Sequence, residues 1–234
     1  MVMARLVNGE RKIINPRPEN AGKLLIFCEG VTELNYLDYF RKYIDNNAHE
    51  KYSDIVIKTI NAEGNAMRVY NFAEEYLSSE ENASKYLYYE KHLVFDCDAP
   101  DNIQEVIALM KESDNNYVLD YSNLLFETWL LMHFQILEPG KNVDKRSIMN
   151  TMSEYIGVED YDSKIKASTG TIGKILGSNG NEKIRAAIDN AKKLEKYWND
   201  EGFDMYYNIK DMNPSVKVYG LVERLLDEVV YLCK

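Results

Sequence analysis

Three acidic residues, far apart in the chain, each stand at the end of a short apolar run. Glu29 follows the run from Lys23 to Cys28, while Asp96 and Asp98 close the run that begins at His92. Continuous apolar runs of this length are typical of strands buried on both faces of a sheet. Because parallel strands gather their carboxyl ends at the edge where such sheets bind ligands, we expect the three carboxylates to lie close together.

The spacing of Asp96 and Asp98 indicates metal binding. Residues two apart in a strand point the same way, so both carboxylates would face one site and repel each other unless a cation lay between them. Mg²⁺ prefers such oxygen ligands, and Mn²⁺ could replace it. An Asp-x-Asp pair can also simply begin a turn, as the segment ending at Asp101 would. Glu29, followed by Gly30 at a predicted strand-to-helix turn, favours a metal site built from all three carboxylates.

Four other residues are candidates for the same site. Glu127 interrupts a strongly apolar helix pattern, where a buried carboxylate needs a partner, and Asn123 four residues earlier would share its helix face. Glu127 could instead form an ordinary salt bridge. His133 could take part in the chemistry or be a satisfied core histidine. Glu33 could support the metal, bind substrate or hold a second metal, or simply stabilise a helix N-terminus.

Apolar periodicity predicts strands that alternate with helices. This order indicates βαβ units and a mostly parallel sheet flanked by helices, an α/β fold with a helical C-terminal extension. The predicted strands cover residues 23–28, 54–60, 92–97 and 116–121, and the predicted helices cover about 34–44, 66–77, 103–110, 124–134, 145–156, 164–176, 181–198 and 214–232.

Composition shifts divide the chain into three parts. Residues 1–22 are polar and contain two prolines, which predicts a flexible arm. Residues 23–138 form the predicted α/β core, and residues 139–234 form a helical part that we expect to pack on that core.

The overall composition excludes several classes of protein. With 28 basic and 38 acidic residues, a net charge of −10 argues against a general DNA-coating protein but not against a nuclease. No apolar run approaches the roughly 20 residues of a membrane span, and no signal peptide pattern begins the chain, so we expect a cytoplasmic protein without membrane contact. The three cysteines form no CxxC pair, which argues against zinc and disulfides.

The sequence resembles a known family in several ordered motifs. Leu25-Ile-Phe-Cys-Glu-Gly-Val-Thr-Glu33 resembles the first motif of Toprim domains, and Leu93-Val-Phe-Asp-Cys-Asp98 resembles their Asp-x-Asp strand. Together with Ser122-Asn-Leu-Leu-Phe-Glu-Thr-Trp-Leu-Leu-Met-His-Phe134 and Asn213-Pro-Ser-Val-Lys-Val-Tyr219, these motifs occur in the order found in RloB-like proteins. The resemblance spans about residues 23–226. It departs from the family pattern at Leu124, where proline is common, and at Lys217, where a small polar residue is common.

The resemblance implies a Toprim-type site and a role in restriction or phage-defence loci. Glu29 would act as an acid/base or metal-bridging carboxylate, and Asp96 and Asp98 would hold Mg²⁺ or Mn²⁺. The implied activity is cleavage of a nucleic acid, whether DNA, RNA or tRNA, in antiviral defence. The implied partners are an ATPase or another restriction-system protein, and the chain could form a homo-oligomer.

Two other functions are compatible with parts of the sequence. Phe95-Asp-Cys-Asp98 is superficially similar to the nucleophile strand of haloacid-dehalogenase-like phosphatases, but Pro100 stands where a Thr or Val is expected and the acidic strand is the third rather than the first. The alternative outside enzymes is a Toprim-like regulatory subunit that binds nucleic acid or nucleotides without cutting.

Overall fold

A computed structural model describes residues 22–47, 54–60, 65–97, 102–141 and 143–233 of the 234-residue chain. The predicted N-terminal arm, except for its last residue, and the predicted ligand Asp98 lie outside the described residues.

The described strands form one sheet of five strands in the order β2-β1-β3-β4-β5. The first four strands are parallel, and the short β5 pairs antiparallel with β4. This arrangement confirms the predicted α/β class with a mostly parallel sheet. The strands are β1 (Lys23–Cys28), β2 (Asp54–Thr59), β3 (Glu90–Asp96), β4 (Val118–Asn123) and β5 (Ser215–Val216).

Helices follow the strands and then dominate the C-terminal part. A short 3₁₀ turn at Gly177–Asn179 joins α8 to α9. The α-helices are α1 (Val31–Asn47), α2 (Ala66–Leu77), α3 (Glu80–Lys85), α4 (Ile103–Glu112), α5 (Phe126–Leu131), α6 (Lys145–Ile156), α7 (Ser163–Lys166), α8 (Thr169–Leu176), α9 (Gly180–Asp200), α10 (Met205–Asn208) and α11 (Tyr219–Leu232).

The sheet has a hydrophobic cluster on each face. On β1, Leu24 and Ile26 point into a cluster built with α1 and the C-terminal helices, while Leu25 and Phe27 point into a cluster built with α2 and α4. The chain therefore leaves β1 over one face and returns from β2 to β3 over the other. Because the strand order reverses between β1 and β3, a crevice opens there at the carboxyl ends of these two strands.

Three predicted boundaries differ from the structure. β4 extends to Asn123, so the helix predicted to start at 124 begins at Phe126, after the strand has completed its pairing with β3. The predicted helix 164–176 is broken into α7 and α8 near Ser168. The predicted helix 214–232 was wrong at its start, because Ser215 and Val216 pair with β4 and α11 begins only at Tyr219.

The C-terminal helices share the larger hydrophobic cluster with β1 and α1. Trp129 of α5, Met152 of α6 and Leu225 of α11 are buried in the same cluster as Phe40 of α1. The helical part thus packs on the sheet over an apolar interface. In the described part of the chain, none of the helices combines the length and apolar character needed to cross a bilayer.

Candidate active site

Glu29 and Asp96 meet at the crevice between β1 and β3. The Glu29 backbone N–H donates to the Val94 carbonyl at 3.2 Å, which continues the ladder past the end of β1. The Glu29 carboxylate in turn accepts a hydrogen bond from the Asp96 backbone N–H, with 3.3 Å between that nitrogen and Oε2. Both acidic residues are half-buried. The Glu29 carboxylate therefore reaches the backbone of the last residue of β3.

Ser122 extends this site on the neighbouring strand. It is the register partner of Asp96 on β4, and it is buried. Its hydroxyl oxygen has no hydrogen-bond partner among the described residues. An oxygen left without a partner beside two carboxylates suits a site that takes a further polar ligand.

Glu33 brings a third carboxylate to the site from the first turn of α1. Its side chain is 5% exposed and folds back over Gly30, where an added Cβ would lie only 3.0 Å from the Glu33 Oε2. A larger residue at position 30 would therefore displace the Glu33 carboxylate from this position. Burial is the largest cause that raises the pKa of Glu33 to about 8, and the negative charges of Glu127 and Glu29 add to it. A backbone hydrogen bond and the charge of Lys166 act in the opposite direction.

Glu127 is the fourth carboxylate of this cluster, and the ammonium group of a lysine lies against it. It lies in the first turn of α5, is 2% exposed, and its Oε1 is 3.1 Å from the Lys166 ammonium. Lys166 ends α7, and the segment is held on α1 because Asn35 Nδ2 donates to the Ala167 carbonyl at 3.0 Å. The sequence predicted either a role in the site or a salt bridge for Glu127. The structure contains the salt bridge, and this ion pair lies beside Glu33.

The role of Lys166 could not be predicted from the sequence. A buried glutamate on an apolar helix requires a cation, but nothing distinguishes Lys166 from Lys164 or Lys210, which could equally have met a phosphate. Tyr161 was also missed. It is buried, and burial together with the charges of Glu127 and Glu33 raises its pKa, so the phenol lies close to the same carboxylates.

The structure places Asn123 and His133 away from this cluster. Asn123 ends β4 rather than sharing a helix face with Glu127, and its amide donates to the Ile209 and Met212 carbonyls at 2.8 and 3.0 Å. The His133 Nε2 is 2.9 Å from the hydroxyl of buried Tyr36, and burial lowers the His133 pKa to about 4. His133 is therefore a neutral core residue, and Asn123 holds a distant segment against the sheet.

The chemistry of the cluster fits a divalent cation bound by oxygen atoms. Glu29, Asp96 and Ser122 supply hard oxygen donors, whereas the nearby Cys28 thiol is buried and its pKa is raised by that burial and by the charge of Glu33. A protonated thiol is a poor ligand for zinc. Across the described ranges there is no group of three or more His, Cys, Asp or Glu side chains with metal-binding geometry, and Asp98, the third predicted ligand, lies outside those ranges.

Comparison with known proteins identifies the family. A family model described as RloB-like protein matches residues 24–225, which is most of the chain. Neither the curated proteins nor the solved structures gave a match. The chain belongs to the RloB-like protein family.

Proposed function

We propose that this RloB-like protein is a Toprim-type nuclease that depends on Mg²⁺ or Mn²⁺. The observation that carries this proposal is the hydrogen bond from the Asp96 backbone N–H to the Glu29 carboxylate, at the point where the strand order reverses. Glu29 and Asp96 would hold the cation, and Asp98 would complete the ligand set. The family supports a role in antiviral defence with a partner ATPase or restriction-system protein.

The bound cation would polarise the phosphoryl oxygen and lower the pKa of a water molecule. Glu29 would accept a proton from that water, and the position of its carboxylate at the end of β3 supports this role. Glu33 would act as the general acid, as Glu29 would act as the general base. In the metal-free protein burial and neighbouring carboxylates raise the pKa of Glu33 to about 8, which supports Glu33 as the group that would donate a proton to the leaving oxygen.

Lys166 and Glu127 would set the charge at the opposite wall of the site. The Lys166 ammonium neutralises Glu127 and remains partly exposed, with 28% of its side chain accessible. A partly exposed ammonium can approach a phosphate oxygen and compensate for the surrounding carboxylates. The protein's net charge of −10 makes such local compensation necessary for binding a polyanion.

Cleavage of end-labelled single-stranded DNA, duplex DNA, RNA and tRNA with Mg²⁺, Mn²⁺ or EDTA tests the proposal. We expect metal-dependent cleavage of at least one substrate and a loss of about 10²- to 10³-fold in Asp96→Asn, because the cation is no longer held. Glu105→Gln is the matched control, since Glu105 is an exposed carboxylate on α4, which follows β3. It should cleave at the wild-type rate.

Two results would contradict the proposal. Asp96→Asn protein that cleaves as fast as wild type would show that the site does not carry the reaction. Metal binding that needs Glu29 and Asp96 but is accompanied by no cleavage of any of the four substrates would indicate a non-catalytic regulatory subunit instead.

A further inference from the structure

A second cavity lies beside the first half of β4. It has a volume of about 490 Å³, is open to solvent on one side, and is lined by the C-terminal half of α4, the start of β4 and the N-terminal residues of α10. This volume is within the roughly 300–1,000 Å³ of small-ligand pockets. Because the carboxylates gather at the ends of the strands and this cavity begins at Val118, the first residue of β4, the cavity is separate from the candidate active site.

The walls of this cavity combine apolar side chains with two lysines. Ile107, Met110 and Leu119 supply apolar surface, and Met205 lines the opposite wall. Thioethers and aliphatic side chains of this kind pack well against flat aromatic rings. The cavity therefore offers a slot for a planar, weakly polar body.

An aromatic ring and a cation stand together at the same cavity. Tyr206 is 41% exposed, and the Lys111 ammonium lies 3.9 Å from the centroid of its ring. Lys111 is exposed, and Lys217, whose ammonium also pairs with Glu195, lines the cavity as well. A ligand in the slot can thus stack on Tyr206 while an attached anion meets Lys111.

The α10 wall is held in place by hydrogen bonds of its own. Gln104 Nε2 on α4 donates to the Tyr207 carbonyl at 2.8 Å, and Asn123 donates to the carbonyl of Ile209, the residue after α10. Binding would therefore not have to order this wall first, which reduces the entropic cost of association.

We propose that this cavity binds one nucleotide unit, with its base in the apolar slot against Tyr206 and its phosphate at Lys111. A purely apolar ligand would make no use of the exposed Lys111 ammonium, and a compact inorganic anion would leave the apolar walls uncovered. The unit could be a free mononucleotide or one residue of a single strand, since both present the same base and phosphate. The inference goes beyond the proposed nuclease reaction and does not depend on it.

Calorimetric titrations in EDTA test the inference without any contribution from a metal site. The probes are AMP, GMP, CMP, UMP and a five-residue oligonucleotide, with adenosine and ribose 5-phosphate as the two halves of a nucleotide. We expect at least one nucleotide to bind about tenfold more tightly than either half. An oligonucleotide that binds more than about tenfold tighter than the mononucleotides identifies a single strand as the source, and equal affinities identify a free nucleotide.

Two tyrosines of α10 provide a matched pair of variants. Tyr206→Ala should weaken binding by about 5- to 150-fold, the range measured for loss of one base stack, whereas Tyr206→Phe should retain it. Tyr207→Ala should leave the affinity unchanged, because Tyr207 is 72% exposed and does not line the cavity. Lys111→Gln should weaken nucleotides by about tenfold and adenosine hardly at all.

Glu29→Gln protein separates this inference from the proposed function. It should bind the nucleotide as wild type does, whatever its cleavage activity. The inference is overturned if none of the five nucleotide probes binds at millimolar concentration, or if Tyr206→Ala and Lys111→Gln bind them as tightly as wild type.

Discussion

The two ends of β3 both carry buried acidic groups, but the neighbouring charges shift their pKa values in opposite directions. At the start of the strand, His92 lies between Asp120 and Glu90, with nitrogen-to-oxygen distances of 2.7 and 3.2 Å. Arg224 of α11 donates to the second oxygen of Glu90 at 3.0 Å and also pairs with the fully buried Glu228. Each acidic group there has a cationic partner.

At the other end of β3 the Glu29 carboxylate accepts a hydrogen bond from the Asp96 backbone N–H. The charges of Glu127 and Glu29 act on Glu33, and Lys166 pairs with Glu127. The contrast between the two ends of β3 appears in two glutamates, Glu90 and Glu33, whose pKa values shift in opposite directions.

Although burial opposes ionisation of Glu90, hydrogen bonds and charges from His92 and Arg224 lower its pKa to about 2. Burial and like charges raise that of Glu33 to about 8. Paired charges at one end fasten α11 to the sheet, whereas the like charges that act on Glu33 at the other end would favour an added cation.

Matched amide substitutions at the two ends should have opposite consequences. Glu29→Gln should reduce metal-dependent cleavage by about 10²- to 10³-fold and leave the free energy of unfolding of the metal-free protein unchanged or higher, because it removes one like charge. Glu90→Gln should keep the cleavage rate per folded molecule and lose about 2 kcal/mol of stability, since charged hydrogen bonds are weakened. Urea unfolding and cleavage assays measure both. An inactive Glu90→Gln protein would contradict the assignment of cleavage to one end of β3 and stability to the other.

Removal of Arg224 should cost more stability than removal of an exposed cation. Arg224→Met leaves Glu228 buried without its cation, and breaking a buried pair typically costs about 3–5 kcal/mol. Lys192→Met is the control. Lys192 of α9 pairs with Glu223, which lies on α11 next to Arg224, but this pair is exposed. Exposed pairs contribute about 0–1 kcal/mol. Equal midpoints for both variants in urea would show that the network at the start of β3 does not stabilise the fold.

The network should also make stability depend on pH. Burial of His92 disfavours its protonation, but the charges and hydrogen bonds of Asp120 and Glu90 outweigh this effect and raise its pKa from 6.5 to about 9. Since the folded pKa is the higher one, the contribution is fully present below pH 6.5 and is lost as pH rises to about 9. The loss is on the order of 3 kcal/mol.

Comparison with His92→Gln isolates this effect, because Glu33 and other groups titrate in both proteins. The difference in unfolding free energy between wild type and His92→Gln should shrink steadily between about pH 6.5 and 9. A difference that stays constant over this interval would show that His92 does not gain a proton on folding.

The smallest predicted effect concerns Lys166 and depends on metal. In EDTA, Lys166→Met should lose about 1–2 kcal/mol, because Glu127 is left without its cation. Mn²⁺ should reduce this loss, since a divalent cation supplies positive charge to the same carboxylates. Lys164→Met, which removes an exposed lysine of the same helix, should show no loss in either condition. An unchanged loss for Lys166→Met with and without Mn²⁺ would separate Lys166 from the metal site.

Local sequence patterns predicted most of the strands and helices, but they did not predict which side chains meet in the carboxylate cluster. The apolar runs before Glu29 and Asp96 predicted two buried parallel strands, because such strands need apolar residues on both faces. β5 could not be predicted, since its two residues pair with β4 through contacts that span the chain. The pairing of Glu127 with Lys166 was missed for the same reason. It joins residues 39 positions apart through the packing of α7, which no local periodicity records.

Diffraction at the manganese edge from crystals grown with Mn²⁺ tests the central claim most directly. We predict an anomalous peak within bonding distance of carboxylate oxygens of both Glu29 and Asp96, which disappears in crystals of Glu29→Gln. A peak that contacts neither residue, or a fully ordered site that stays empty at millimolar Mn²⁺, would contradict the account.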